Sequence, residues 1–187
     1  MNRRALFAGT AMVSLLPMLL ARRAWAHGPT PHKADLSIDI KADPAKVWAV
    51  IANFGDISWN PNAENVESKG GNDPQAGADR TYTLKAGKAF KGGGQMEESL
   101  DDYDAKQMTY SWRLESEDVE SFPVSFYSAS IVVAPADGGS KVSVEGRFYR
   151  GDTGNEPAPG QDDEAAEAAM AEFLQSALDG IKIKAES

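Results

Sequence analysis

Apolar and polar residues alternate along most of the chain from residue 34 onward. The first such segment places Leu36, Ile38 and Ile40 on one face, as a half-buried strand does. Six further strands are predicted at Asn62–Gly70, Ala78–Lys85, Gln95–Asp101, Gln107–Leu114, Val124–Ala134 and Ser140–Arg150. Short turns rich in Gly, Asp and Asn separate most of them, so the pattern predicts an antiparallel sheet of six to seven strands. In "KAGKAFKGGGQ" the turn could fall at Ala86-Gly87 or at Gly92 to Gly94.

Two segments switch to helical spacing. The first follows the first strand, with Asp43 as N-cap, Pro44 at the first helical position and Gly55 as the stop. The second runs from about Asp162 to Ile183, with acidic residues in its first turn and lysines at its end. This order predicts an α+β helix-grip fold, in which a curved antiparallel sheet wraps a long C-terminal helix. We expect one such domain over residues 35–187.

The first 26 residues have the layout of an export signal. A basic start precedes an apolar run from about Ala5 to Leu20, and Ala24-Trp25-Ala26 is a small-x-small site that predicts cleavage before His27. The run is short for a membrane span and contains Pro17. The pair Arg3-Arg4 fits the twin-arginine route, and Sec export stays open. We therefore expect a periplasmic protein without a membrane span after cleavage, starting with a Pro-rich arm at residues 27–34.

Charge and cysteine content narrow the function classes. Four of the 19 basic residues lie in the signal, so residues 27–187 hold 15 basic and 28 acidic side chains, a formal net charge of −13. Such a surface repels phosphate backbones and anionic lipids and attracts a basic protein. The chain has no cysteine, which excludes disulfides, thiol nucleophiles and covalent c-type haem. It also has no GxGxxG motif and no P-loop lysine, so we expect no cofactor.

Several segments carry a family resemblance. They are "HGPTPHK", "IKADPAKVWAVIANFGDISWNP", "FPVSFYSASIVV" and "EGRFYRGDTGNEPAPGQDDEAAEAA". Together they resemble MxaD-type members of the SRPBCC superfamily, periplasmic accessory proteins of methanol oxidation. The resemblance implies a non-enzymatic helper of a methanol dehydrogenase and its c-type cytochrome acceptor, and it supplies no catalytic residues. The glycine-rich "KAFKGGGQ" and His32 depart from that pattern.

Strand parity predicts which side chains face the long helix. Facing inward, they could form a plain core or an aromatic-lined pocket for a small hydrophobic molecule. The candidate pocket residues are Trp59, Tyr82, Leu84, Met96, Glu98, Tyr110, Trp112, Tyr127, Phe148, Met170 and Phe173.

Glu98 is the one carboxylate in that set. It lies between Met96 and Leu100 at strand spacing, so it is expected on the apolar side. A buried carboxylate has a raised pKa and could serve as an acid or base. The competing interpretation places Glu98 at the cavity mouth or against a basic neighbour.

Both histidines, His27 and His32, fall in the predicted arm. After cleavage the amine and imidazole of His27 could chelate copper, with His32 as a third ligand, although any chain starting with His offers this and we predict no metal site. Without another histidine, Ser-His-Asp chemistry and ordinary zinc sites are unavailable to the domain body.

Three remaining features have ordinary explanations. The acidic clusters at Asp101 to Asp104 and Asp152 to Glu164 lack EF-hand spacing. The tripeptide Arg150-Gly151-Asp152 falls where the last strand stops, which indicates a joint and not an adhesion motif. Phe122, Phe126 and Tyr149 fall on the outward parity and could form a docking patch, unless a bulge tucks them away.

Three functions follow from these observations. The first is an accessory protein acting through its surface on methanol dehydrogenase and cytochrome c, as the resemblance implies. The second is a carrier of a small hydrophobic ligand. The third is a cyclase- or dehydratase-like enzyme using Glu98.

Overall fold

A computed structural model describes residues 29–187. The strands are β1 (His32–Ile40), β2 (Ala63–Lys69), β3 (Asp79–Leu84), β4 (Gln95–Asp104), β5 (Thr109–Ser116), β6 (Val124–Ala136) and β7 (Gly139–Arg150). The helices are α1 (Pro44–Ile51) and α2 (Asp163–Glu186), and a short 3₁₀ turn covers Pro74–Ala76. Within this part of the chain, no helix combines the length and apolar character that crossing a membrane requires. The signal, its cleavage site and His27 lie outside the described residues.

The seven strands form one antiparallel sheet in the order β1-β7-β6-β5-β4-β3-β2. β1 pairs with β7, so the first and last strands along the chain are neighbours in the sheet. α2 packs across the sheet against β1 and β7, and α1 packs against α2. The inward residues of the strands and the apolar stripe of α2 form one continuous core. The predicted helix-grip fold is therefore confirmed.

The element boundaries follow local chemistry. The Asp43 side chain accepts a hydrogen bond from the Ala45 N–H, and Pro44 occupies the first turn of α1, as predicted. At the start of α2, the Asp162 side chain accepts from the Ala165 N–H. β4 continues to Asp104, through residues that the sequence pattern placed in a turn.

The predicted arm is partly wrong, because β1 begins at His32. His32 pairs with Phe148 of β7, and Lys33 and Ala34 continue the ladder. Polar residues at an edge strand give no apolar alternation to detect, which is why the pattern placed the strand start later.

Residues 85–94 resolve the alternative left open in the glycine-rich segment. The Leu84 N–H donates to the Gly94 carbonyl and the Gly93 N–H donates to the Leu84 carbonyl, so strand pairing ends there, and the Gly87 N–H donates to the Phe90 carbonyl, so both candidate segments belong to one loop. Residues 85–92 form a loop that is attached to α2, because the Glu172 carboxylate accepts from the Lys88 and Ala89 N–H groups.

The joint between β7 and α2 is organised by Arg150. Its guanidinium donates to the carbonyls of Asp152 and Gly154 and forms an ion pair with Asp163 at 2.9 Å. Arg150 is buried, so the tripeptide 150–152 cannot present its arginine to an adhesion receptor.

Candidate functional site

A buried ion pair lies on the inner face of the sheet, where β3 pairs with β4. Arg80 of β3 and Glu98 of β4 are direct cross-strand partners. The Arg80 Nε lies 2.6 Å from the Glu98 Oε2, and the two side chains are 1% and 0% exposed. Glu98 is thus inward, as parity predicted, and it pairs with a basic neighbour at depth instead of at a cavity mouth.

Two tyrosines complete the hydrogen bonds of Glu98. The Tyr82 hydroxyl donates to the Glu98 Oε1 at 2.9 Å, and the Tyr127 hydroxyl donates to the same oxygen. One guanidinium and two phenols therefore occupy both carboxylate oxygens. A carboxylate can be buried without a large energetic cost when donors of this kind replace its hydrogen bonds to water.

The pKa directions around this pair favour fixed protonation states. Burial, reinforced by the Glu98 carboxylate, raises the pKa of Tyr82 well above its usual value. Burial also raises the pKa of Tyr110 to about 12. Burial acts to lower the pKa of Arg80, but attraction to Glu98 together with Tyr110 and Tyr82 outweighs it, and the pKa is raised. At neutral pH, Tyr82 and Tyr110 are protonated and Arg80 is charged.

Aromatic rings enclose the Arg80 guanidinium. Its Cζ lies 4.4 Å from the Phe54 ring centroid, 5.5 Å from that of Trp112 and 6.0 Å from that of Trp59. The Arg80 Nη1 donates to the Phe54 carbonyl at 3.0 Å. These contacts hold the cation where it meets Glu98, with cation–π attraction replacing part of its hydration.

A small inner cavity lies between this cluster and α2. Its volume is about 10 Å³, close to the least that holds one water molecule. Its lining consists of Ile57, Trp59, Asn60, Arg80, Trp112, Ile131, Val144, Phe173, Leu174, Ala177 and Leu178.

A larger outer pocket of about 510 Å³ opens to solvent near the start of α2. It is formed by residues 86–91, Glu120, Pro123, residues 158–161 and Ala165. Phe90 lines it and stacks edge-on against Phe122, which in turn contacts Phe173 of the inner cavity. Phe90 and Phe122 therefore stand between the outer pocket and the inner cavity.

All eleven predicted pocket residues are buried, and for the strand residues among them this agrees with strand parity. Only Trp59, Trp112 and Phe173 line the inner cavity. Glu98, Tyr82 and Tyr127 form the buried network, while the others pack in the core: Leu84, Met96, Tyr110, Phe148 and Met170.

Sequence reasoning missed two residues of this site, Arg80 and Asn60. The signal for Arg80 was available, since it shares the inward parity of Tyr82 and Leu84 and so opposes the inward Glu98 on the next strand. Asn60 lies in a loop, where no periodicity indicates direction.

His32 is part of β1 and packs against the domain. Its ring stacks on Phe148, its Nε2 lies 2.8 Å from Asp163, and its Nδ1 lies 2.8 Å from Glu167. The two carboxylates meet opposite nitrogens of the ring, so they do not converge on one metal position. Among residues 29–187 no group of three potential ligands is close enough to hold a metal ion.

The three outward aromatics separate into two groups. Phe122 is 1% exposed and packs on Phe90, Tyr127 and Phe173, so its prediction as a docking residue is wrong. It precedes β6, where strand parity does not apply. Phe126 is 67% exposed and contacts the half-buried Tyr149 edge-on.

A bulge explains the exposure of Phe126. The pairing of β6 with β7 shifts register between Ser125 and Ser128, and Phe126 has a φ of 49°. Its N–H donates to Glu117, not to the neighbouring strand. A non-glycine residue with positive φ is costly and is retained where the surroundings hold it.

The fold and the enclosed polar cluster define a helix-grip protein with a buried site between sheet and helix. The family model described as polyketide cyclase / dehydrase and lipid transport matches residues 31–186. The chain belongs to that family. No curated protein matches it.

Solved structures show the same fold at low sequence identity. The Zhui aromatase/cyclase from Streptomyces sp. R1128 is 16% identical, with a TM-score of 0.68 over 84% of this chain and 94% of that one. A protein from Nitrosospira multiformis is 21% identical, with a TM-score of 0.59 over 82% and 95%. XoxI from Bacillus cereus is 18% identical, with a TM-score of 0.55 over 80% and 94%.

Proposed function

We propose that this protein binds a small molecule between α2 and the sheet and does not convert it. The burial and the hydrogen bonds of Glu98 are the main support for this proposal. Glu98 is the carboxylate of the inner cluster, yet it is fully enclosed and three protein donors occupy its oxygens. A general base must reach the proton that it removes, directly or through one water.

The other groups of the site also argue against proton transfer. Tyr82 and Tyr110 are too weakly acidic to ionise near neutral pH. Arg80 keeps its charge. His32 lies on the edge strand β1, opposite Phe148 of β7, where it contacts Asp163 and Glu167. What remains is an apolar cavity wall with hydrogen-bond donors, which serves binding.

Access to the cavity would run through the outer pocket. Phe90 lies on the loop of residues 85–94, whose position depends on the hydrogen bonds of Glu172. Release of those bonds would free Phe90 from Phe122. A ligand could then pass from the outer pocket toward Phe173.

Native mass spectrometry of protein recovered from an exporting host tests this proposal. We expect an adduct that denaturation releases. Replacing Ala177 with leucine fills the inner cavity and should remove the adduct, while Ala171→Leu on the exposed face of α2 should keep it. Adduct retention in a folded Ala177→Leu protein, or turnover of the released molecule by fresh protein, would overturn the proposal.

A second candidate function is the accessory role in methanol oxidation that the resemblance implies. It is supported by the exposed Phe126 with Tyr149 and by the formal charge of −13 on residues 27–187. An aromatic pair on an acidic surface suits a basic protein partner. Under this proposal the chain is periplasmic and docks on methanol dehydrogenase or its c-type cytochrome.

Affinity between the purified proteins tests the second function. Electrostatic docking weakens with salt, since the screening length is about 10 Å at 0.1 M ionic strength. We expect binding to fall as salt rises from 50 to 500 mM and to fall about tenfold or more in Phe126→Ser, a loss typical of a hot spot. Val132→Ser, also partly exposed on β6, is the control. Salt-independent binding, or equal affinity of Phe126→Ser and wild type, would contradict it.

A further inference from the structure

Four buried N–H donors lack a hydrogen-bond partner on residues that line the inner cavity. They are the Trp59 Nε1, the Asn60 Nδ2, the Arg80 Nη2 and the Trp112 Nε1. A buried donor without a partner has lost its hydrogen bonds to water and gained none in return, which destabilises the folded state. Four such groups around one cavity therefore favour an occupant that accepts hydrogen bonds.

The four donors are held in place by their surroundings. The rings of Trp59 and Trp112 both lie within 6.0 Å of the Arg80 Cζ. The Asn60 Oδ1 accepts from the Asn62 N–H at 2.9 Å, so its amide is oriented with the nitrogen left over. The Arg80 Nε and Nη1 are engaged by Glu98 and by the Phe54 carbonyl, which leaves Nη2.

The cavity offers donors and little else. Glu98, the neighbouring carboxylate, is already occupied, and the remaining lining is apolar. An amine or ammonium ligand would find no free acceptor among the side chains that line the cavity and would lie near the Arg80 cation. A carboxylate oxygen would satisfy the donors and gain charge-assisted hydrogen bonds.

We propose that the inner cavity recognises the anionic oxygen of a small carboxylate-type ligand whose body is apolar. This inference rests on the proposed binding function and specifies the chemistry of its ligand. Trp59, Asn60, Arg80 and Trp112 bind the oxygen, and Leu174, Leu178 and Ile131 contact the apolar body. Because the cavity holds about one water, a bound ligand moves side chains of α2 away from the sheet.

Indole N–H resonances provide a direct test. A chain starting at His27 has three tryptophans: Trp48, Trp59 and Trp112. We would titrate hexanoate, hexylamine and 1-hexanol into this protein and follow the ¹⁵N–¹H signals, assigned with single Trp→Phe variants. Hexanoate should shift the Trp59 and Trp112 indole signals downfield, with little change for Trp48, whose indole nitrogen is not among the unpaired groups.

The substitution Asn60→Asp tests the donor set. It preserves the oxygen that accepts from Asn62 and exchanges the unpaired donor for a charged acceptor. Hexanoate affinity should fall at least tenfold, as expected for losing a hydrogen bond to a charged group. Asn65→Asp, on the exposed strand β2, adds the same charge away from the cavity and should bind normally. Trp59→Phe, which removes one donor, is the second test if Asn60→Asp does not fold.

The outcomes separate this inference from the proposed function. If hexylamine or hexanol shifts the two indole signals as strongly as hexanoate, the cavity binds ligands but not by anion recognition, and the inference fails alone. If hexanoate affinity is unchanged in folded Asn60→Asp and Trp59→Phe proteins, the anion-recognition inference also fails and the binding function stands. If no probe shifts either signal, the donors hold only water and both proposals fail.

Discussion

Replacing Glu98 with glutamine is expected to lower the free energy of unfolding by about 3–5 kcal/mol, the loss typical of removing one partner of a buried ion pair. The change leaves the Arg80 guanidinium charged, enclosed and without its counter-ion. Chemical denaturation monitored by tryptophan fluorescence measures the effect. Glu97→Gln, the preceding residue on the outward side of β4, is the matched control and should change stability little.

A double replacement separates burial of charge from packing. Arg80→Leu combined with Glu98→Leu removes both charges, so it should recover much of the stability that Glu98→Gln loses. An unchanged unfolding free energy in Glu98→Gln would mean that the ion pair does not maintain the core. Glu98 would then be free for another role, and the binding proposal would lose its main support.

Gly180→Ala is expected to destabilise the protein by about 1–3 kcal/mol, as overpacking does. Gly180 lies within α2, where an alanine normally gains about 1 kcal/mol over glycine. Here a Cβ would overlap the Trp59 carbonyl oxygen and crowd the Pro61 ring. The helix and the loop of residues 57–61 approach each other backbone to backbone at this position, so neither side can yield without moving Trp59.

Thermal and chemical unfolding of Gly180→Ala check the sign of this effect. Ala171→Gly, on the exposed face of the same helix, is the control and should lose about 1 kcal/mol through helix propensity alone. A Gly180→Ala protein more stable than wild type would show that α2 can move away from Trp59. That result would also indicate a looser wall for the inner cavity.

Local patterns were enough to predict the architecture. Alternation located all seven strands, because most inner residues are apolar, Arg80 and Glu98 being exceptions, and most outer ones are polar. Asp43 as N-cap and the acidic first turn from Asp162 act within one turn of themselves, so they indicated both helix starts, and the structure shows that Asp162 is the N-cap of α2. Parity placed Glu98 on the inner face, which the structure confirms.

Parity failed where the backbone leaves regular geometry. Phe122 precedes β6 and Phe126 lies in a bulge, so an alternation counted through both residues assigned Phe122 outward when it is buried. His32 was assigned to an arm because a single residue at the start of an edge strand shows no alternation of apolar and polar positions. Its stacking on Phe148 and its contacts to Asp163 and Glu167 join residues more than 100 positions apart.

By itself, the sequence determined the element order, the inward face of each strand, the absence of cysteine chemistry and the acidic surface. These properties depend on neighbouring residues or on counting. Only the tertiary structure decided that Glu98 forms an ion pair with Arg80 and accepts hydrogen bonds from two tyrosines, and that four unpaired donors surround one cavity. Those contacts join atoms from β3, β4, β5, β6 and the loop after α1. These elements are far apart in sequence, so a pattern of neighbouring residues cannot predict the contacts.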